Sequence, residues 1–210
     1  MSSYKFILSG GGTGGHIYPA IAIAQGLEKA YPNASFLFVG AKGKMEMKKV
    51  PEAGYAIKGL WISGLSRKVS LDLLAFPFKL IWSLFQSLLI LMRFRPDLVI
   101  GTGGYASAPL LKMAQWLGFP TLVQEQNSYA GVTNKWLSKK AKVICVAYPN
   151  MAQYFPASTL VYSGNPIRAG IQQQLPPKEK GLLEFNLQQE LPVLLVLGGS
   201  LGAKKINEFV

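Results

Sequence analysis

Seven short apolar runs, separated by helical stretches and glycine-rich loops, constrain this chain more than any other feature. They are Lys5–Leu8, Ser35–Val39, Tyr55–Lys58, Asp97–Ile100, Thr121–Gln124, Val143–Val146 and Leu160–Tyr162. A strand with one wet face alternates apolar and polar residues. "DLVI" and "TLV" do not alternate, which suits a parallel sheet buried on both faces. Helical stretches fall between the runs, over Ile17–Ala30, Lys44–Glu52, Leu71–Arg93, Pro109–Leu117 and Gly131–Lys139. The alternation predicts an α/β fold, an open, doubly wound, Rossmann-like parallel sheet.

This domain is read over 1–168. The texture changes at 169–191, where glutamine, proline and charge dominate and a linker with a helical turn or two is expected. "PVLLVLGGSLGAKKINEFV", 192–210, repeats the opening pattern of apolar run, glycine loop and helix start. It reads as the first strand and loop of a second Rossmann-like domain. One βα unit cannot make a domain, so a truncated chain is expected.

In an open parallel sheet, ligands bind beyond the carboxyl ends of the strands. The unusual sequence falls there. "SGGGTGGH" follows the first run and holds His16, the chain's one histidine. Glycines let the backbone approach a ligand, and the following helix offers unpaired N–H groups to an anion. Gly10, Gly12 and Gly15 fit G-x-G-x-x-G, but the second run ends "FLFVGAKGK" without the acid that a dinucleotide site places there. "GTGGYASAP" (101–109), "EQNSYAGVTNK" (125–135) and "GNPIR" (164–168) follow other runs. Each alone could be turn chemistry; together they line one rim of the sheet.

Lysine and arginine number 22 against 10 acidic residues, a net charge of +12. That favours anionic partners such as phosphates or an anionic membrane face. The basic residues are scattered and no nucleic-acid motif appears, which argues against nucleic acid. The lone Cys145, in "KVICV", reads as a small core residue rather than a nucleophile. The apolar run before the glycines is too short for a signal peptide. The strongest membrane-like segment is Leu73–Arg95. Lys79 interrupts it and leaves Leu80–Met92 uncharged, about 20 Å of helix against the ~30 Å hydrocarbon core. It reads as a helix half in the core and half at an interface, not a span. The two aspartates, Asp72 and Asp97, form no D-x-D pair, so neither metal nor other cofactor is expected.

"GGTGGHIYPA", "GTGGYASAP", "EQNSYAGVTNKWL", "GNPIR" and "GGSLGAKKIN" occur in the order and rough spacing of one family. In these motifs the chain resembles the MurG family, N-acetylglucosaminyltransferases of peptidoglycan synthesis. The resemblance implies the N-terminal, acceptor-binding half of a GT-B fold. It implies inverting transfer of N-acetylglucosamine from UDP-N-acetylglucosamine to undecaprenyl-pyrophosphoryl-N-acetylmuramoyl-pentapeptide (lipid I), giving lipid II, with little turnover from this chain alone. Carried over by motif, Thr13, Gly14, Gly15, Asn127, Arg168 and Ser200 contact the UDP-sugar. Gly103 and Gly104 join the substrate-binding set, with Tyr105 on the acceptor side. His16 is the first candidate for the base that deprotonates the acceptor hydroxyl, and Glu125 is its rival; the plainer role of Glu125 is to hold its loop. Trp82, Phe85 and Leu89, flanked by Arg67, Lys68, Lys79, Arg93 and Arg95, suit a peripheral protein on the anionic cytoplasmic face of the bacterial inner membrane. Cell-wall synthesis proteins are candidate partners. Gln124 stands where many relatives have histidine, and Leu201 where others have glutamine. The alternatives are another sugar-nucleotide enzyme of this fold, such as an epimerase, and a non-catalytic membrane-associated binding module.

Overall fold

A computed structural model describes residues 3–64, 71–168, 170, 175–198, 206 and 208. The chain divides into two compact units, Met1–Ile171 and Gln172–Val210.

The first unit is built on seven strands, β1 (Lys5–Gly10), β2 (Ser35–Ala41), β3 (Ile57–Leu60), β4 (Leu98–Gly103), β5 (Thr121–Glu125), β6 (Val143–Val146) and β7 (Leu160–Tyr162). All pair in parallel, in the order β3-β2-β1-β4-β5-β6-β7. Its helices are α1 (Gly14–Ala30), α2 (Glu46–Glu52), α3 (Leu71–Phe94), α4 (Ser107–Trp116) and α5 (Val132–Ser138). Side chains alternate across the sheet, so the two faces make two cores. Ile7, Val99, Val123 and Ile144 pack with Leu110 and Leu111 of α4 and Leu91 of α3. Phe6, Leu8, Phe38 and Ile100 pack with Ile17, Ile21 and Ala24 of α1 and Val50 of α2. Burial on both faces is why the central strands β1, β2, β4 and β5 read as continuous apolar runs.

The chain winds outward from β1 in one direction and from β4 in the other, which opens a crevice between the ends of these two neighbours. The register breaks there. Ser9 lies opposite Gly101 but Gly10 opposite Gly103, so Thr102 is a bulged extra residue.

Several boundaries differ from the sequence expectation. α1 takes Gly14, Gly15 and His16 into its first turn, and β1 and β4 run on into their glycines, because hydrogen bonding continues where the side-chain pattern stops. β3 starts two residues late, at Ile57. α3 runs through Pro77 and Lys79, and its Ala75–Phe94 part is long and apolar enough to cross a membrane by length and composition. Its inner stripe nevertheless packs into the domain. Ser83 and Ser87 are buried there, and their hydroxyls donate back to the carbonyls of Leu80 and Ser83 at 2.8 and 2.7 Å.

In the second unit, α6 (Lys178–Glu184) supplies the helical turns expected of the linker. The strand expected at 192–198 is not formed: these residues lie in no helix or strand, and Leu194, Leu195 and Leu197 are exposed. A strand exists only beside a partner, and none of the described residues pairs with this one. Ile206 and Glu208 are helical.

Candidate functional site

The β1–α1 and β4–α4 loops cross at the crevice between β1 and β4. Gly104 has φ +80°, and a Cβ there would run into the carbonyl oxygen of Gly11. Gly103 has φ +102°, and its Cβ would stand 3.0 Å from Nδ1 of His16. Gly103 needs glycine because the imidazole lies against its backbone, and Gly104 because the Gly11 carbonyl does, each at a positive φ. His16 is half-buried. Its Nδ1 lies 2.9 Å from the carbonyl oxygen of the bulged Thr102 and 3.2 Å from Oε1 of Gln126. The Thr102 hydroxyl in turn donates to the His16 carbonyl at 2.7 Å.

Glu125 ends β5 and is buried. Its Oε1 accepts from the backbone N–H and side-chain Nδ2 of Asn127, at 3.1 and 3.0 Å. Its Oε2 accepts from the Gly131 N–H and Asn134 Nδ2, both at 2.9 Å. All its acceptor directions are spent on its own loop and on α5. The geometry makes it a clamp for the loop that carries Asn127, the plainer of the two roles considered for it.

Two residues outside the sequence-based set prove central. Glu46, in the first turn of α2, is buried. It accepts from Ala41 N–H at 3.0 Å and Gly12 N–H at 3.2 Å. The acid missing from the end of β2 thus arrives a few residues later, and it braces the glycine loop from below. Gln126 ties β4, β5 and α1 together: its Nε2 donates to the carbonyls of Thr102 and Gln124, at 2.7 and 3.0 Å, and to the Gln124 side chain. Only the position of Gln126 beside Glu125 and Asn127 in a strand-end loop could have drawn attention to it.

Thr13 caps α1 with extended backbone and no side-chain cap bond, and its carbonyl accepts from His16 and Ile17 N–H. The N–H groups of Gly14 and Gly15 are among those a helix start leaves without intrahelical partners. Pro19 supplies no N–H for the Gly15 carbonyl, so that group too is open. These groups border a cleft of about 460 Å³ with Tyr18, Asn127, Asn165 and Arg168. The Arg168 guanidinium stacks on the Tyr18 ring at 4.1 Å. Asn127 commits one amide hydrogen to Glu125 and keeps the rest of its amide for the cleft. With no carboxylate among the cleft's walls, the helix dipole and Arg168 favour an anion.

The structure therefore divides the predicted residues. Gly14, Gly15, Asn127 and Arg168 share the cleft. His16, Gly103 and Gly104 meet at the crevice, and Thr13 joins the two groups. Tyr105 packs over Gly12 and Gly64, and burial, then the charge of Glu46, pushes its phenol up. Ser200 lies outside the described residues, as do Arg67, Lys68 and Leu201. Cys145 is half-buried rather than fully buried, and burial pushes its thiol up, away from nucleophilic reactivity. Among the described residues no three His, Cys, Asp or Glu side chains converge as metal ligands.

On α3, Phe78, Ile81, Trp82, Phe85, Leu89 and Met92 are exposed. Their spacing of three and four residues puts them on one stripe, opposite the packed side. Arg93 and Arg95 are exposed at its end.

Comparison with known proteins joins these features. The pattern of the glycosyltransferase family 28 N-terminal domain matches residues 6–146. The chain is 56% identical, over all its 210 residues and 57% of the relative, to a UDP-N-acetylglucosamine--N-acetylmuramyl-(pentapeptide) pyrophosphoryl-undecaprenol N-acetylglucosamine transferase of Flavobacterium psychrophilum. It is 57% identical over 204 residues, 97% of the chain and 55% of the relative, to the Cytophaga hutchinsonii protein of the same name. The chain thus spans little more than half the length of the curated relatives it matches. Among solved structures it is similar to Acinetobacter baumannii MurG, with a TM-score of 0.72 and 32% identity over 98% of this chain and 55% of that one. It shares its fold with Neisseria meningitidis UDP-GlcNAc 2-epimerase, with a TM-score of 0.55 and 12% identity over 79% of this chain and 47% of that one.

Proposed function

The chain belongs to glycosyltransferase family 28, whose N-terminal domain it matches, and from that premise we propose that it serves the transfer of N-acetylglucosamine from UDP-N-acetylglucosamine to lipid I. The observation that carries this reading is the 56% identity with the Flavobacterium transferase along the whole chain.

The site's chemistry suits such a transfer. The acceptor hydroxyl attacks C1 of N-acetylglucosamine from the face opposite UDP, a β-1,4 bond forms, and UDP leaves with the bonding electrons. The half-buried imidazole of His16 accepts the hydroxyl proton. Gly14 and Gly15 N–H groups and Arg168 hold diphosphate oxygens at the helix start, where donors fixed in advance stabilise charge. Asn127 hydrogen-bonds a sugar, and Glu125 holds Asn127 in place.

The apolar stripe of α3 with Arg93 and Arg95 docks the protein on the anionic cytoplasmic face of the inner membrane, where a lipid-linked acceptor resides. Each cation near such a surface adds about 1 kcal/mol.

The test is transfer of labelled N-acetylglucosamine to lipid I by the chain alone and by the chain fused to the C-terminal part of the Flavobacterium relative. Label in lipid II from the fusion is expected, with little from the chain alone. Conversion of the sugar nucleotide to its C2 epimer, with no label in lipid, would overturn the reading in favour of an epimerase.

A further inference from the structure

The two nitrogens of the His16 ring stand in unequal surroundings. The side chain that makes them so is Gln126, which the proposed transfer does not itself employ. The orientation of its amide is fixed from one end. Two backbone carbonyls, those of Thr102 and Gln124, flank that end at 2.7 and 3.0 Å, and a carbonyl can only accept. The two hydrogens of the NH2 group match them, so Oε1 is the atom turned to the imidazole. Nδ1 of His16 therefore faces two acceptors, the Thr102 carbonyl at 2.9 Å and Gln126 Oε1 at 3.2 Å, and no donor. It carries the proton, because the hydrogen bond made by one ring nitrogen decides the state of the other. Nε2 has no hydrogen-bond partner among the described residues.

We propose that Gln126 is a positioning residue for His16. Together with the bulged Thr102 carbonyl, it holds the imidazole in the Nδ1–H form and leaves Nε2 as the nitrogen with the free lone pair. The sheet irregularity takes part, since the bulge sets Thr102 where its carbonyl can accept from both Gln126 Nε2 and His16 Nδ1. A neutral amide orients the ring without the charge that makes a carboxylate stabilise the imidazolium. It thus suits a base that must give its proton up again. The inference rests on the proposed transfer for the use made of Nε2, but not for which nitrogen bears the proton.

One histidine in 210 residues makes the test direct, because a 15N-labelled chain displays a single imidazole. At about pH 8, above the usual imidazole range, long-range 1H–15N spectra are expected to show Nδ1 protonated and Nε2 bare. Gln126→Met removes the acceptor and the brace on the Thr102 carbonyl, a loss of about one net hydrogen bond, and raises the ratio of Nε2–H to Nδ1–H about fivefold. Gln126→Glu keeps an acceptor oxygen and adds charge, so the ring titrates at higher pH than in the parent chain. A parent ring protonated on Nε2, or a ratio unmoved by Gln126→Met, overturns the proposal. If circular dichroism shows that the Met variant does not fold, a titration unmoved in Gln126→Glu overturns it equally. The tautomer is read on the chain without transfer, so absence of labelled lipid II from the fused protein refutes the proposed transfer and leaves Gln126's hold on His16 standing.

Discussion

Glu125→Gln separates the two jobs open to a carboxylate at the end of β5. A general base needs a free lone pair, whereas a clamp needs both oxygens as acceptors. The substitution keeps size and shape and removes the charge. In the parent, Oε1 takes two N–H donors from Asn127, and Oε2 takes one each from Gly131 and Asn134, all at 2.9–3.1 Å. An amide has one oxygen and one NH2, so in either orientation its NH2 confronts two donors. Two hydrogen bonds to a charged group are lost, at about 1.5–3 kcal/mol each, or about 3–6 kcal/mol together. Against a typical stability of about 5–15 kcal/mol, the variant is marginal. Urea unfolding of the 210-residue chain, followed by tryptophan fluorescence and circular dichroism, measures the effect. The expected result is a fall of at least about 3 kcal/mol in unfolding free energy at unchanged m-value. A fall under about 1 kcal/mol, too small for even one bond to a charged group, would refute the clamp. If transfer by the fused protein were lost as well, Glu125 would return as the base.

Glu46→Gln opposes only one donor, because each of its oxygens takes a single N–H, so its cost in the same assay is about 1.5–3 kcal/mol. A cost equal to that of Glu125→Gln would contradict the count. Trp82→Glu with Phe85→Glu, at positions 50% and 47% exposed, releases the chain from anionic vesicles in co-sedimentation while changing stability by no more than about 0.5 kcal/mol per site; unchanged binding would refute the α3 docking face. Burial, and then the hydrogen bond to Glu28, pushes the Tyr55 phenol up, so the folded state keeps it neutral at pH values where the unfolded chain ionises. That contribution is complete below about pH 10, the ordinary tyrosine value, and is lost as pH rises through the folded value. Tyr55→Phe is expected to flatten the alkaline fall in thermal midpoint, and an unaltered slope would count against it.

The fold was legible because burial on both faces leaves a trace in the central strands β1, β2, β4 and β5, while β-branched and aromatic residues mark the less buried β6 and β7. β6 and β7 begin and end where their apolar runs do. Misreadings gather at glycines, which carry no burial signal. β1 and β4 continue through theirs, and α1 absorbs two that looked like loop. The shift of β3 has another cause. Tyr55 belongs to an apolar run, but its ring packs at 5.2 Å from Phe38, and β3 pairing starts opposite Phe38 only at Ile57. At 192–198 the pattern was that of a strand, yet a pattern without a neighbouring strand carries no ladder.

The site was legible as a set of loops but not as a set of contacts. Nothing local in the sequence tells that Glu46 reaches Gly12 or that Gln126 reaches His16. Those pairings follow from strand order, which places the loops after β1, β2, β4 and β5 at one rim. The dinucleotide question shows what this costs. The end of β2 carries no acid for a ribose, but an acid is present after all, on α2. Its carboxylate is spent on Ala41 and Gly12 N–H groups rather than turned toward a ribose. With the Gly12 N–H taken from within, the loop's remaining offer to an anion is the open start of α1 at Gly14 and Gly15, beside Arg168 and the amide of Asn127. The conclusion against a dinucleotide therefore stands on different ground. The decisive point is how the acid is used, not whether one is present, and that depends on a side chain 34 positions along the chain from the glycine it holds.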